Sequence, residues 1–424
     1  SPPPPSPSPP HPVPSPPPPL PISPVPSPPP PHLPPPPPPL PLPPPMPLQP
    51  GESLGAFLVV LNTTYPATAS SLEHGVETRV GAVSTASVAS TLADLNADGL
   101  DDLVVDGLAY MNPPESPGDF TNVVGTRLGT HERTFTSVAT ADVNGDQALD
   151  LVLAFEDLTG TQGVELLLNP GNGDFSSVAA IAVPGTTSSA SQIVKLADMN
   201  QDGKPDLIVG KQNEANQLFV NPGDGSFGIT GFEVLPFGAR SDDTRCLAVG
   251  DVNQDGQVDI VVGNLGQPNR VYLTTILNSD LLSFSTMNLG EEADESLSIQ
   301  TGDVNGDGLP DVVVGNRLSQ NVLHLAVSAG VFGPPSSIGG EADDTRSIVI
   351  NDLNLDGLLD VVVGNGQHPN KVYINPSTGD FSSTVAQPVG IDAGDYDTLS
   401  IEVGKLNSDG EGPICSNKRV AAHS

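Results

Sequence analysis

From residue 55 onward, apolar and polar positions fall into short runs that read as strands separated by turns. Thr345–Ile350 enters a polar turn at Asp352, and Val361-Val-Val-Gly364 leaves it. Lys371-Val-Tyr-Ile374 reads as a third strand, and the turn Asn375-Pro-Ser-Thr-Gly379 leads to a fourth expected near Phe381. The same turn recurs as Asn169-Pro-Gly-Asn-Gly173-Asp-Phe175 and Asn221-Pro-Gly-Asp-Gly225-Ser-Phe227. Pro and Gly there are turn chemistry, so these segments are read as turns rather than phosphate-binding loops. The polar turns begin at 94, 142, 198, 251, 303 and 352, at spacings of 48, 56, 53, 52 and 49 residues. A period near fifty, with short strands and regular turn signals, predicts the blades of a β-propeller and an all-β fold.

Those turns carry the candidate chemistry. Asp251, Asn253, Asp255, Gly256 and Asp259 form one copy. Asp94, Asn96, Asp98, Gly99 and Asp102 form another, as do Asp198, Asn200, Asp202, Gly203 and Asp206. The set continues with Asp303, Asn305, Asp307, Gly308 and Asp311, and with Asp352, Asn354, Asp356, Gly357 and Asp360. The copy Asp142, Asn144, Asp146 and Asp150 has Gln147 where the others have Gly. Oxygen donors at alternate positions, a Gly at the sharp turn and a closing carboxylate suit Ca²⁺. We assign the Asp at positions one, five and nine and the Asn at three as side-chain ligands, with a backbone carbonyl from position seven. No Glu follows at position twelve, so these are not EF-hands. The expected affinity is the weak extracellular kind, about 10⁻⁴ to 10⁻³ M, and the expected role is structural. Gln147 costs about 1 kcal/mol at a turn that favours Gly, so lower occupancy is expected there.

The repeated Asp-x-Asn-x-Asp-Gly-x-x-Asp loop resembles the FG-GAP/VCBS repeat family, as in the propeller heads of integrin α subunits. The resemblance spans residues of about 55 to 415 and implies a calcium-stabilised, seven-bladed β-propeller. A seventh unit aligns at Lys405, Asn407, Asp409, Gly410 and Pro413. Lys405 and Pro413 stand where the first and last Asp belong, so no metal is expected there. The chain ends too soon to complete that blade. Ala56-Phe-Leu-Val-Val-Leu-Asn62 matches the third strand Lys371–Asn375, so both termini are expected to close the last blade and remove its open edge. The propeller domain is thus 51–424.

Residues 1–50 hold 32 Pro and no Asp, Glu, Lys or Arg. Pro fixes φ and removes the backbone donor, which leaves polyproline II as the default. At about 3.1 Å per residue, such an arm reaches roughly 150 Å. Ser1-Pro-Pro-Pro-Pro5 and Ser15-Pro-Pro-Pro-Pro19 resemble the extensin and pherophorin hydroxyproline-rich glycoproteins of plants and green algae, which implies prolyl hydroxylation and O-glycans. Two readings stand, a solvated stalk and a packed arm. Val13, Leu20, Ile22, Val25, Leu33, Leu40, Leu42, Met46 and Leu48 favour packing.

Charge narrows the partners. The chain has 50 acidic against 15 basic residues, a net charge of −35, and 19 of the Asp lie in the six loops. Nucleic acid is excluded for want of Lys and Arg clusters. No apolar run reaches the roughly 18 residues of a membrane helix. No signal-peptide pattern is present and Ser1 is not a start Met, which fits a mature product or an incomplete chain. Cys246 aligns with small residues such as Ser347 and is expected as a buried free thiol, unpaired with Cys415. No His pair has zinc spacing and no Gly-x-Ser-x-Gly elbow occurs. Asn62-Thr-Thr64 is the one N-glycosylation sequon, since Pro376 excludes Asn375. The sequence therefore points to a secreted, non-enzymatic glycoprotein of the cell surface, cell wall or extracellular matrix. Its strongest specific form is a fibre subunit whose partners are copies of itself. The alternative is a stalked adhesion or carbohydrate-binding head that recognises glycans or cell-surface glycoproteins, and a secreted enzyme ranks third.

Overall fold

The computed structural model describes residues 89–404 apart from short breaks, the longest being 390–397, together with the strand backbones Phe57–Asn62, Val76–Ala82 and Lys418–His423. The Pro-rich arm, the Lys405–Pro413 loop, Cys415 and the side chain of Asn62 lie outside the described residues. Within them the chain is all-β, with no helix. None is therefore long and apolar enough to cross a membrane.

Each apolar run that leaves a polar turn becomes a strand buried on both faces. Asp259–Asn264, Asp311–Asn316 and Asp360–Gly366 are buried at every residue. Such a strand must be covered on both sides, and neighbouring blades supply the cover. Six antiparallel four-stranded blades result. In the sixth, Asp344–Asn351 pairs with Asp360–Gly366, which pairs with Asn370–Tyr373, which pairs with Gln387–Val389. The innermost strands of the other five are Ser90–Ala93, Thr134–Ala141, Ser191–Ala197, Thr244–Gly250 and Ser296–Gly302. The fourth strand expected near Phe381 begins later, at Gln387. Phe381 instead plugs the core from the preceding turn, fully buried beside Val361, Val363 and Tyr373. A ring that size satisfies burial without strand pairing, so the apolar position was legible but its backbone state was not.

The cores lie between blades. Leu95 and Val104 of the first pack with Leu151, Phe155 and Phe175 of the second. Ile260 and Tyr272 of the fourth pack with Ile208 and Leu218 of the third. Each such side chain contributes about 1.5–3 kcal/mol on burial. The Gly that ends the Val-Val-Val-Gly run permits this approach: a Cβ on Gly364 would lie 2.7 Å from Ile401 Cδ1.

A further four-stranded sheet carries Thr398–Gly404 innermost. Phe57–Asn62 pairs with it directly and antiparallel, and Lys418–His423 lies parallel on the far side, followed by Val76–Ala82. The sequence placed Phe57–Asn62 third, like Lys371–Ile374. The structure places it second, because its unbroken apolar run suits a strand flanked on both sides.

Innermost strands are latched to their neighbours by serine. Ser137 Oγ accepts from Val194 N–H (3.1 Å), Ser298 Oγ from Ile348 N–H (2.9 Å) and Ser347 Oγ from Ile401 N–H (3.1 Å). Cys246 takes the matching place in the fourth blade as a buried free thiol, and burial pushes it up to about 12. Between Ser90–Ala93 and Thr398–Gly404, among the described residues, the latch is made by side chains. Ser90 Oγ meets Glu402 Oε1 and Ser400 Oγ, each at 2.9 Å. Burial pushes the Glu402 carboxyl from 4.5 up to about 7, and Ser90 and the charge of Lys195 only partly offset it. The folded state therefore favours the neutral acid. That contribution is complete below about 4.5 and is lost as pH rises through about 7. Glu402→Gln keeps an acceptor for Ser90 without the charge. It is expected to raise the thermal midpoint at pH 8 and leave it nearly unchanged at pH 5, read by circular dichroism. A midpoint lowered at pH 8 would show that the carboxylate is the form the latch prefers.

Candidate metal loops

The six Asp loops all join an innermost strand to the strand paired with it, so all six lie at the same end of their blades. Asp251–Asp259 shows the common geometry. Asp251 Oδ1 accepts from Asp255 N–H (3.0 Å) and its Oδ2 from Gly256 N–H (2.8 Å). Asn253 Oδ1 also accepts from Asp255 N–H (3.0 Å), and its Nδ2 donates to Asp255 Oδ2 (3.0 Å). Asp255 Oδ1 accepts from Gln257 N–H (2.8 Å). Positions one, three and five thus gather at the exposed mouth of the loop, each using a short side chain to bind the backbone two to five residues on. The turn needs a left-handed residue at position six. Gly256 has φ 84° there, and Gln147 is forced to φ 74°, yet Gln147 N–H still reaches Asp142 Oδ2 (2.7 Å).

Position nine differs from the rest. Asp102, Asp150, Asp206, Asp259, Asp311 and Asp360 are all 0% exposed. One oxygen of each accepts from the N–H at position two, namely Leu95, Val143, Met199, Val252, Val304 and Leu353. The other accepts from a backbone N–H at the end of the third strand or just beyond it, Asn112, Asn169, Asn221, Ala326 and Asn375, or, in the fourth blade, from Thr274 within the long strand Asn269–Asn278. Burial raises all six carboxyls, to about 6 in five of them and to about 7 in Asp206, and nearby loop carboxylates push the same way.

Neighbouring loops are tied together. Asn169 Nδ2 donates to Leu95 O in the preceding blade (2.8 Å), Asn221 Nδ2 to Val143 O (2.9 Å) and Asn375 Nδ2 to Val304 O (2.7 Å). In the fifth blade the backbone of Gly330 does the same to Val252 O (3.0 Å). Gln201 and Gln254 reach the position-six carbonyls of the following loops, Gly256 and Gly308. The sequence showed Asn169, Asn221 and Asn375 only as turn residues. Their bonds to a loop more than 70 residues away were not legible.

The opposite end of the blades carries a second repeated pattern that the sequence reading missed. Asn264 and Asn269, Asn316 and Asn321, and Asn365 and Asn370 recur five residues apart. The later Asn of each pair accepts from the backbone of the earlier one. Ser296 and Thr345 relay these pairs to the next blade. Above them Asp-Asp-Thr-Arg occurs twice, at 242–245 and 343–346. It forms the ion pairs Arg245–Asp243 (2.7 Å), Arg270–Asp242 (3.0 Å), Arg346–Asp344 (2.8 Å) and Lys371–Asp343 (2.5 Å). The repetition of those tetrads was the available signal.

Among the described residues, no three His, Cys, Asp or Glu groups converge as a ready cage. The donor set nevertheless fits a hard divalent cation: each loop offers only oxygen, from Asp, Asn and backbone. The raised position-nine carboxyl, desolvated among like charges, is the group that a cation would favour in its ionised form.

An FG-GAP-like repeat profile matches residues 142–209, 198–262, 251–314, 303–363 and 352–411. Cartilage acidic protein 1 of Mus musculus is 35% identical over 89 residues, covering 20% of this chain and 13% of that protein. The Homo sapiens protein is 40% identical over 68 residues, 16% and 10% respectively. The chain thus spans about a tenth of the length of these relatives. A solved structure described as BBS1N in complex with ARL6DN, soaked with lead, aligns at TM-score 0.39 and 11% identity over 68% of this chain and 91% of that one.

Asp259→Ala should unfold the loop even without metal, because it strands two buried N–H donors at a cost of roughly 2–5 kcal/mol. Urea unfolding in EGTA measures it, with Asp255→Ala, at the exposed mouth, losing far less. Equal losses would show that the position-nine carboxylate is not the staple.

Proposed function

The chain belongs to the FG-GAP-like repeat family, and we propose that within it this protein is a non-enzymatic, secreted structural glycoprotein whose loops hold Ca²⁺. The observation that carries this reading is the sixfold recurrence of one oxygen-only loop around a buried, raised carboxyl. Asp94, Asn96, Asp98 and Asp102 would hold the first ion, with the matching residues of the other five loops holding theirs. The metal would supply two positive charges per loop to a chain of net charge −35, and it would stabilise the turn between two strands. No chemistry on a substrate is assigned to it.

The propeller is proposed to have seven blades, with the Thr398–Gly404 sheet as the seventh, closed by strands from both ends of the chain. This is supported by the packing of Thr398–Gly404 between Asp344–Asn351 on one side and Ser90–Ala93 on the other. The Pro-rich arm, hydroxylated and O-glycosylated, is proposed to link subunits into a fibre of the matrix, cell wall or cell surface. Asn62 is the proposed N-glycan site. The relatives' name, cartilage acidic protein, suits an extracellular setting and a strongly acidic chain. The uncharged arm escapes the repulsion that opposes contact between two propellers, and its apolar residues offer burial against a neighbour.

Two experiments test this reading. Calcium that binds the folded state stabilises it by mass action, so EGTA is expected to lower the thermal midpoint and millimolar calcium to restore it. Identical melting curves, with no calcium found by elemental analysis, would sink the metal assignment. Electron microscopy and light scattering of the full chain against a 51–424 version test the arm. Filaments are expected only from the full chain. Monomers from both would favour a stalked binding head.

A further inference from the structure

Four Asn-Gly pairs occur in the chain: Asn144-Gly145, Asn172-Gly173, Asn305-Gly306 and Asn365-Gly366. Asn followed by Gly is prone to lose its side-chain amide, because no Cβ hinders the next backbone nitrogen from reaching the Asn Cγ. The four pairs sit in three different surroundings. Asn365 is fully buried in a strand, with its N–H on Asn370 Oδ1 and its Nδ2 on Pro369 O. Asn172 lies in an exposed turn, its Oδ1 accepting from Asp174 N–H. Asn144 and Asn305 occupy position three of the second and fifth Asp loops.

Those two loops share a contact suited to the reaction. Gly145 N–H donates to Asp142 Oδ1 (2.7 Å), and Gly306 N–H to Asp303 Oδ1 (2.8 Å). A carboxylate therefore rests on the proton that must leave when the backbone nitrogen attacks. The amide to be expelled is held as well: Asn144 Nδ2 lies 2.9 Å from Asp146 Oδ2, and Asn305 Nδ2 2.9 Å from Asp307 Oδ2. The two sites differ in crowding. Gly379 of the next blade abuts Asn305 so closely that a Cβ there would lie 2.7 Å from Asn305 Cβ, whereas a Cβ on Gly145 meets nothing within 4 Å.

We propose that Asn144 and Asn305 are self-modification sites that convert when their loops lack metal, so that two of the six loops keep a covalent record of calcium loss. In the first step the Gly145 nitrogen attacks Asn144 Cγ. The new C–N bond forms and the Cγ–Nδ2 bond breaks. Asp142 takes the backbone proton and passes it to the departing nitrogen, which leaves as ammonia. The product is a cyclic imide. Water then adds to one of its two carbonyls, and the ring opens to Asp or to isoaspartate. Asp adds a carboxylate to the loop. Isoaspartate routes the main chain through the side-chain carbon and breaks the alternate spacing of the donors. The dependence on metal rests on the calcium reading above. With Ca²⁺ on Asp142 and Asn144, the carboxylate is no longer free to accept the proton and the amide is held.

The full chain is incubated at mildly alkaline pH in EGTA or in millimolar calcium, digested, and analysed by peptide mass spectrometry with isoaspartate detection. In EGTA, Asn144 and Asn305 are expected to gain about one dalton each, Asn144 faster. Calcium at about 1 mM should slow both by about twofold to tenfold, in proportion to the fraction of empty loops. Asn172 should convert equally in both buffers, and Asn365 in neither. Intact Asn144 and Asn305 in EGTA, beside a converted Asn172, would overturn the proposal. Conversion at equal rates in both buffers would overturn its metal dependence. Elemental analysis of the calcium sample then separates that failure from failure of the calcium reading: bound metal means the loops fill without protecting, and absent metal means they do not fill.

Discussion

The fold depends on one buried carboxylate in each of the six Asp loops. The Asp at position nine accepts from the loop's second residue and from the third strand or just beyond it, so a single side chain fixes three segments of the sheet. A neutral acceptor could satisfy one of these donors, but two acceptor oxygens on a short stem are needed to reach both. The requirement carries a cost: the carboxyl is driven toward its neutral form by burial and by its acidic neighbours. The loop is thus well organised in backbone terms and poorly compensated in charge. The proposed cation at the mouth would reconcile the two.

The two ends of the blades are held by opposed chemistry. At the loop end, anionic oxygens receive backbone N–H groups, and the position-two carbonyl is handed to the next blade. At the other end, neutral amides and hydroxyls relay from blade to blade, from Asn269 through Ser296 and Asn321 to Thr345. There the scarce cations cluster, with Arg245, Arg270, Arg346 and Lys371 each matched to an Asp. A chain with 15 basic residues spends several of them on one rim, which leaves the loop end strongly negative.

Local pattern made the blades and loops legible. Period, turn residues and the Val-Val-Val-Gly run all report on neighbours in sequence, and Gln147 took the left-handed conformation its position demands. What stayed hidden is set by distant partners. Whether Asn221 is a turn residue or a clasp depends on Val143, 78 positions earlier. The fate of Phe381 depends on space between blades, and the place of Phe57–Asn62 on which strand it meets first. The Asp-Asp-Thr-Arg tetrads could have been found, since they repeat, but a repeat without a known chemistry is easily passed over.

The asparagine clasps between loops point one way. A donor in the second, third and sixth blades closes the loop of the blade before it, 74, 78 and 71 residues upstream. During synthesis, then, those three loops are not finished when their own strands emerge. Each waits for a further 71 to 78 residues of chain to leave the ribosome before the next blade can seal it.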